Sequence, residues 1–204
     1  MAKNLFSNVL RGAMLVALPF TLAACGINSV PTSEENAKAK WADVQASYQR
    51  RADLIPNLVS VASNSAKIER ETLEGVINAR ASATQVKLST DDLTDPAKVE
   101  AFQQAQTNVS SALSRLLVTV ERYPDLKSQE RFADLMTQLE GTENRINVSI
   151  RDYNAAVQDY NTRIRTFPEM IGAKLVHGAK PLTPFEAKAR ADVAPDVGGL
   201  FNGS

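Results

Sequence analysis

Residues 131–167 read RFADLMTQLEGTENRINVSIRDYNAAVQDYNTRIRTF. Within this stretch Phe132, Leu135, Leu139, Ile146, Ile150, Tyr153, Val157, Tyr160, Ile164 and Phe167 follow one another in steps of three and four, with Glu143 the one polar residue on the same seam. Because an α-helix turns once every 3.6 residues, such steps gather the side chains into a single narrow stripe, and a narrow stripe requires a facing helix. The stretch therefore predicts a helix over about 129–166 in an all-α protein.

The pattern repeats upstream. Val99, Phe102, Gln106, Val109, Leu113, Leu116, Val120 and Tyr123 form a second seam, entered at Asp95-Pro96, an N-cap followed by proline at the first helical position, and ended by Pro124 and Asp125. Ser128 with Glu130 can cap the helix that follows. Further upstream, residues 34–86 contain a single glycine, Gly75, and place Trp41, Val44, Tyr48, Ile55, Leu58, Ala62, Leu73, Val76 and Ile77 at roughly helical period. Pro56 removes a backbone donor and crowds the carbonyl of Ala52, which predicts a kink or break near Leu54 and Ile55. Pro31-Thr32-Ser33 before Glu34-Glu35 predicts the helix start at residue 34. At the other end, Pro168 starts a short helix from Glu169 to His177 that Gly178 closes, and a proline- and glycine-bearing tail follows. The expected architecture is an elongated antiparallel bundle of three long helices plus a short C-terminal helix. Helices two and three pair with each other, and the first lies beside them.

The first 24 residues carry Lys3 and Arg11, then an uncharged run from Gly12 to Ala24, the order of a secretory signal. That run of about 13 residues is short for a bilayer span, which takes roughly 20. It ends in Leu22-Ala23-Ala24-Cys25-Gly26, which resembles the bacterial lipobox. Residues 1–24 are thus expected to be a lipoprotein signal peptide, 25–33 a lipidated linker, 34–178 the bundle and 179–204 a flexible tail. Cys25 would bear the lipid and act as an anchor, since two or three acyl chains hold a protein durably on a bilayer. The body would then lie outside the cytoplasm. In a Gram-negative cell Gly26, which is not the aspartate of inner-membrane retention, favours the periplasmic face of the outer membrane.

Composition narrows function further. Lys plus Arg and Asp plus Glu are each 23, so no cationic excess exists to meet nucleic-acid phosphates. A single cysteine cannot close an intramolecular disulfide, and a single histidine, His177, cannot furnish the two Glu-x-x-His pairs of a ferritin-like di-metal centre, even with Glu121, Glu140, Glu143 and Asp53 as carboxylates. No nucleophile or oxyanion donor accompanies those carboxylates in sequence. No enzyme activity, cofactor or metal is expected.

Three motifs carry a resemblance. Tyr48-Gln49-Arg50-Arg51-Ala52-Asp53-Leu54-Ile55-Pro56-Asn57-Leu58-Val59, Glu121-Arg122-Tyr123-Pro124-Asp125-Leu126-Lys127, and the run from Leu139-Glu140-Gly141-Thr142-Glu143-Asn144-Arg145-Ile146 through Tyr153-Asn154, Tyr160-Asn161-Thr162-Arg163-Ile164-Arg165 and Phe167-Pro168 resemble the LemA family, in register over about residues 36–197. The resemblance implies a helical bundle held at a membrane by its N-terminus, mostly outside the cytoplasm, without an established enzymatic activity. Many relatives look as if they keep an uncleaved N-terminal transmembrane helix, where this chain has a lipobox. Neighbouring genes in the family often encode membrane peptidases or small membrane-attached domains, and one branch is tied to magnetosome membranes. The resemblance thus implies an envelope partner, a membrane peptidase among the candidates.

The motif residues Arg50, Arg51, Asp53, Asn57, Glu140, Glu143, Asn144, Arg145, Asn154, Asn161 and Arg163 are the candidate polar layer, either structural or ligand-binding. Polar groups on a seam fix helix register at some cost in stability, which favours the structural reading for Glu143, Asn144, Arg145, Arg50, Arg51 and Asp53. Tyr153-Asn154 and Tyr160-Asn161 recur at a spacing of seven, so each residue type shares a face. The tyrosines suit a core with hydroxyls at its edge, and the asparagines form a ladder whose alternative use is to bind peptide or glycan. Trp41 is expected in the bundle end, with lipid headgroups as the alternative, and Gly141 is expected to allow close packing against helix one. The functional expectation is a non-enzymatic, membrane-anchored scaffold or adaptor for an envelope protein. The alternatives are a self-associating, membrane-organising protein, which would form homo-oligomers, and, further off, a metal-binding or hydrolytic one.

Overall fold

The computed structural model describes residues 28–63, 69–127 and 129–185. Cys25 with the leader, Ser128 and the last 19 residues of the chain lie outside this set. The described residues form α1 (Ser29–Ser63), α2 (Arg70–Gln85), a 3-10 turn (Asp91–Thr94), α3 (Pro96–Val120), the short α4 (Pro124–Lys127), α5 (Glu130–Arg163) and α6 (Glu169–Gly172), which runs into one π turn (Ala173–His177). No strand occurs among them, so the all-α expectation holds. Several helix boundaries were legible. Asp95 accepts the Ala97 amide at 3.0 Å with Pro96 at the first position, and Gly178 ends the π turn at φ 56°, a left-handed conformation that suits glycine.

The segment expected as one helix with a break at Pro56 is two helices, and the break falls elsewhere. α1 continues through Pro56 to Ser63, and α2, from Arg70, runs back against it. Proline leaves the carbonyl four residues back without its helical donor. That carbonyl, Ala52 O, instead accepts the Nε–H of Arg80 in α2 at 2.6 Å. The return of α2 lets Leu73 and Val76 pack with Ile55, Leu58, Leu113 and Leu116, an apolar face that a straight continuation would leave in water. α1 also begins earlier than residue 34. Ser33 lies inside the helix, buried, with its hydroxyl donating to Val30 O at 2.9 Å, so it caps nothing.

The long helices alternate in direction. Lys40 faces Asp152 and Arg51 faces Glu143, so α1 and α5 are antiparallel; Trp41 meets Phe102 and Arg51 meets Gln106 and Ser110, so α1 and α3 are parallel. The closest backbone partners differ from those expected: α5 packs along α1, and α3 packs along α2. α1 is the shared element, carrying buried residues at every turn from Val30 to Ala62.

The core has two apolar compartments. One, at the chain-terminal end, contains Trp41, Val44, Phe102, Tyr153, Tyr160, Leu182 and Phe185. The other, at the far end, contains Ile55, Leu58, Val76, Leu113, Leu116, Phe132 and Leu139. Residues 179–185, expected as the start of a flexible tail, are instead laid onto the bundle, with Leu182 and Phe185 buried in the first compartment. Trp41 is fully buried there, its ring 5.4 Å from Phe102 and 5.6 Å from Phe185.

Candidate functional site

A buried arginine lies along α1 between the two apolar compartments. Arg51 is 2% exposed, and a charge so placed requires partners on all sides. Its Nη1 donates to Glu143 Oε1 on α5 at 2.9 Å and to Ser110 Oγ on α3 at 2.9 Å. Its Nη2 donates to the side-chain and backbone oxygens of Gln106 at 2.6 and 3.1 Å. The guanidinium also lies 5.0 Å from the centre of the Tyr48 ring, one turn back on α1. Burial pushes the Tyr48 hydroxyl up to about 12, against the lowering effect of Arg51, so it stays protonated beside the cation. One arginine therefore joins three helices.

The wider polar layer expected from the motifs does not assemble. Of its members only Arg51 and Glu143 meet. Arg50, Asn57, Glu140, Asn144 and Arg145 are exposed, Asp53 is exposed and accepts from Gln49 at 2.8 Å, and Arg163 binds Asp159 within α5 at 2.9 Å. The layer is completed by Gln106 and Ser110. Gln106 had a signal, being the single polar residue on the second seam; Ser110 had none.

The second constellation is the tyrosine–asparagine repeat of α5. Asn154 Nδ2 donates to Phe185 O at 2.9 Å while its Oδ1 accepts the Phe185 amide at 2.8 Å; Asn161 does the same with Leu182, at 2.8 and 2.9 Å. Tyr153 and Tyr160 donate to the carbonyls of Thr183 and Lys180, both at 3.0 Å, and burial raises both hydroxyl pKa values. The Thr183 amide reaches Leu93 O at 2.8 Å on the opposite side. The registers match because seven helical residues rise about 10.5 Å and three extended residues span about 10 Å. The ladder thus reads main chain, and the peptide it holds is the protein's own residues 180–185.

Surface depressions flank Arg51. A cleft of ≈ 410 Å³ opens between α1, α2 and the turn after α2, beside Gln45, Tyr48, Arg80 and Leu88. A groove of ≈ 700 Å³ runs between α3 and α5 over Arg51, walled by Gln103, Ser110, Glu143 and Asn147. Among the described residues no three His, Cys, Asp or Glu stand together as a metal site, and no helix is long and apolar enough to cross a membrane.

These features define a class: an all-α bundle cross-linked by one buried arginine, with residues 180–185 strapped to a repeat on the last long helix. The LemA family model matches residues 40–198, and the chain belongs to that family. It is similar to two magnetosome proteins MamQ of Paramagnetospirillum magneticum, each 27% identical over 190 residues, 85% of this chain and 70% of theirs. It is also similar to magnetosome protein MamQ of Magnetospirillum gryphiswaldense, 26% identical over 81% of this chain and 66% of the relative. Protein LemA of Metamycoplasma hominis is 28% identical over 61% of this chain and 52% of its own length.

Proposed function

We propose that the chain is a membrane-anchored envelope scaffold of the LemA family, without catalytic activity, tethered through a lipid on Cys25 and holding a second envelope protein along its bundle. The observation that carries this reading is the groove of ≈ 700 Å³ between α3 and α5, a concave surface open to a partner, whereas the ladder on α5 is already filled by residues 180–185. Side-chain chemistry on the seams is spent on holding elements together: the guanidinium of Arg51 is directed to three neighbours inside the fold. The relatives named after a cellular structure, the magnetosome, rather than after a reaction, support the same direction. A membrane peptidase or another envelope protein is the partner proposed.

In-cell photocrosslinking from Gln104 and Asn147, on the rims of the α3–α5 groove, with mass-spectrometric identification of adducts, tests the reading. One recurrent envelope protein is expected, with acylated Cys25 in the mature protein. Adducts between copies of this chain alone would overturn the adaptor reading in favour of a self-associating, membrane-organising protein. A mature chain that retains residues 1–24 would overturn the anchor.

A further inference from the structure

α6 and its π turn sit on the bundle the wrong way round for a segment that faces only water. The small residues Gly172 and Ala173 are buried against the bundle, while Phe167, Ile171, Leu175 and Val176 are turned outward, Phe167 at 76% and Leu175 at 81% exposure. Isolated exposed apolar side chains are ordinary, but four within ten residues of one short segment form a patch. Ile171 and Leu175 are four apart, about one turn, which places the two on one side of the segment, and Phe167 stands in the turn just before α6. Arg165, Lys174 and Lys180 are exposed around the patch. The nearby acids are engaged elsewhere: Glu34 and Glu35 each hold Lys38 at 2.9 Å, Asp159 holds Arg163, and Glu169 also acts on Arg163.

The position of this patch is informative. The pairings of Lys40 with Asp152 and of Arg51 with Glu143 bring the start of α1 to the end of α5, and α6 packs against α1 at that same end. Ser29, the first residue of α1, is four residues from Cys25, a span of at most about 14 Å when fully extended. An acyl anchor on Cys25 would therefore hold the patch within reach of the bilayer surface.

We propose that this end of the bundle is a membrane-contacting tip, in which Phe167, Ile171, Leu175 and Val176 enter the boundary between headgroups and acyl chains of an anionic bilayer while Arg165, Lys174 and Lys180 meet the headgroup phosphates. Amphipathic segments that combine an apolar ridge with lysine and arginine bind membrane interfaces in this way. The tip rests on the anchored-scaffold reading for its orientation, and it adds a second point of attachment. A lipid on a short linker leaves the body free to swing, whereas two attachments at one end hold the long axis of the bundle away from the membrane.

The test uses the full chain, processed and acylated in cells and reconstituted into vesicles of phosphatidylethanolamine and phosphatidylglycerol. Leu175→Cys and, as a control on an exposed valine near the far end of α3, Val118→Cys each introduce a thiol for an environment-sensitive fluorophore, with helicity checked by circular dichroism. The expected result is a blue-shifted emission quenched by brominated lipid at position 175 and neither effect at 118. Lys174→Glu with Lys180→Glu should diminish the quenching at 175, and so should replacing phosphatidylglycerol with phosphatidylcholine. A label at 175 that stays in water, or one shielded from water but not quenched by lipid because the chain's own termini or a second copy cover it, overturns the tip. Acylation of Cys25 is read separately by mass spectrometry, so loss of the tip and loss of the anchor are distinguishable.

Discussion

Glu143 breaks an apolar seam, and such a break is tolerated where the polar group satisfies something buried. Here it neutralises Arg51, whose own exposure is almost nil, while the Glu143 side chain remains 37% exposed. The asymmetry sets unequal costs. Arg51→Ala removes a cation that joins three helices and takes the donor from the Gln106 side-chain oxygen, and should destabilise the fold by about 3 kcal/mol or more. Glu143→Gln keeps an acceptor and water access, and should cost about 1–2 kcal/mol, discounted for solvent screening. Urea unfolding monitored by circular dichroism checks both, and equal costs would contradict the cross-link account. Gly141 gives a second prediction at this scale. The expectation of close packing on helix one is wrong: a Cβ built at Gly141 meets nothing within 4 Å, and the residue is exposed in mid-helix. Gly141→Ala should therefore raise stability by about 0.5–1 kcal/mol, seen as a higher denaturation midpoint.

At the scale of elements, the informative case is a proline that does not end its helix. Pro56 denies Ala52 O its internal donor, and Arg80 from the next helix supplies a replacement. The bond couples the two helices, so the two residues should be energetically linked. Arg80→Ala should cost about 1–2 kcal/mol in the natural background, by leaving a half-buried carbonyl short of a partner. In a Pro56→Ala background the restored amide takes over, and the cost of Arg80→Ala should shrink. A double-mutant cycle measures the difference, and additive costs would show that the Arg80 contact contributes nothing specific. This mechanism was hidden in the sequence, because proline at position 56 is visible but a donor 24 residues downstream is not. The helix-one break was misplaced for that reason.

For the whole molecule, the strap of residues 180–185 closes the terminal compartment as a lid closes a box. Leu182 and Phe185 complete an aromatic cluster around Trp41, and Phe185 stacks edge-on to Tyr153 at 5.6 Å. Asn154→Ala with Asn161→Ala removes four hydrogen bonds to main chain without touching that cluster. The expected outcome is faster amide exchange at Leu182 and Phe185, with α3 and α5 still protected and the far compartment unchanged. Undiminished protection at those two amides would show that the apolar contacts alone seat the strap.

Residue spacing and type determined the class of fold, the seams of α3 and α5 apart from Phe167, which lies beyond its helix and is exposed, the boundaries at Pro96 and Gly178, and Glu143 as a seam position where a polar group had to find a partner. These are local properties, written in the spacing of side chains along one chain. Only the tertiary structure decided which helix lies against which, that Arg51 rather than its neighbours Arg50 and Asp53 is buried, and that the asparagine ladder holds the protein's own residues 180–185. Those outcomes depend on which donors and acceptors come within 3 Å of one another across 21 to 92 residues of sequence, as Asn161 with Leu182 and Arg51 with Glu143 do. A repeat of seven announces a shared face, but not the chain that will cover it.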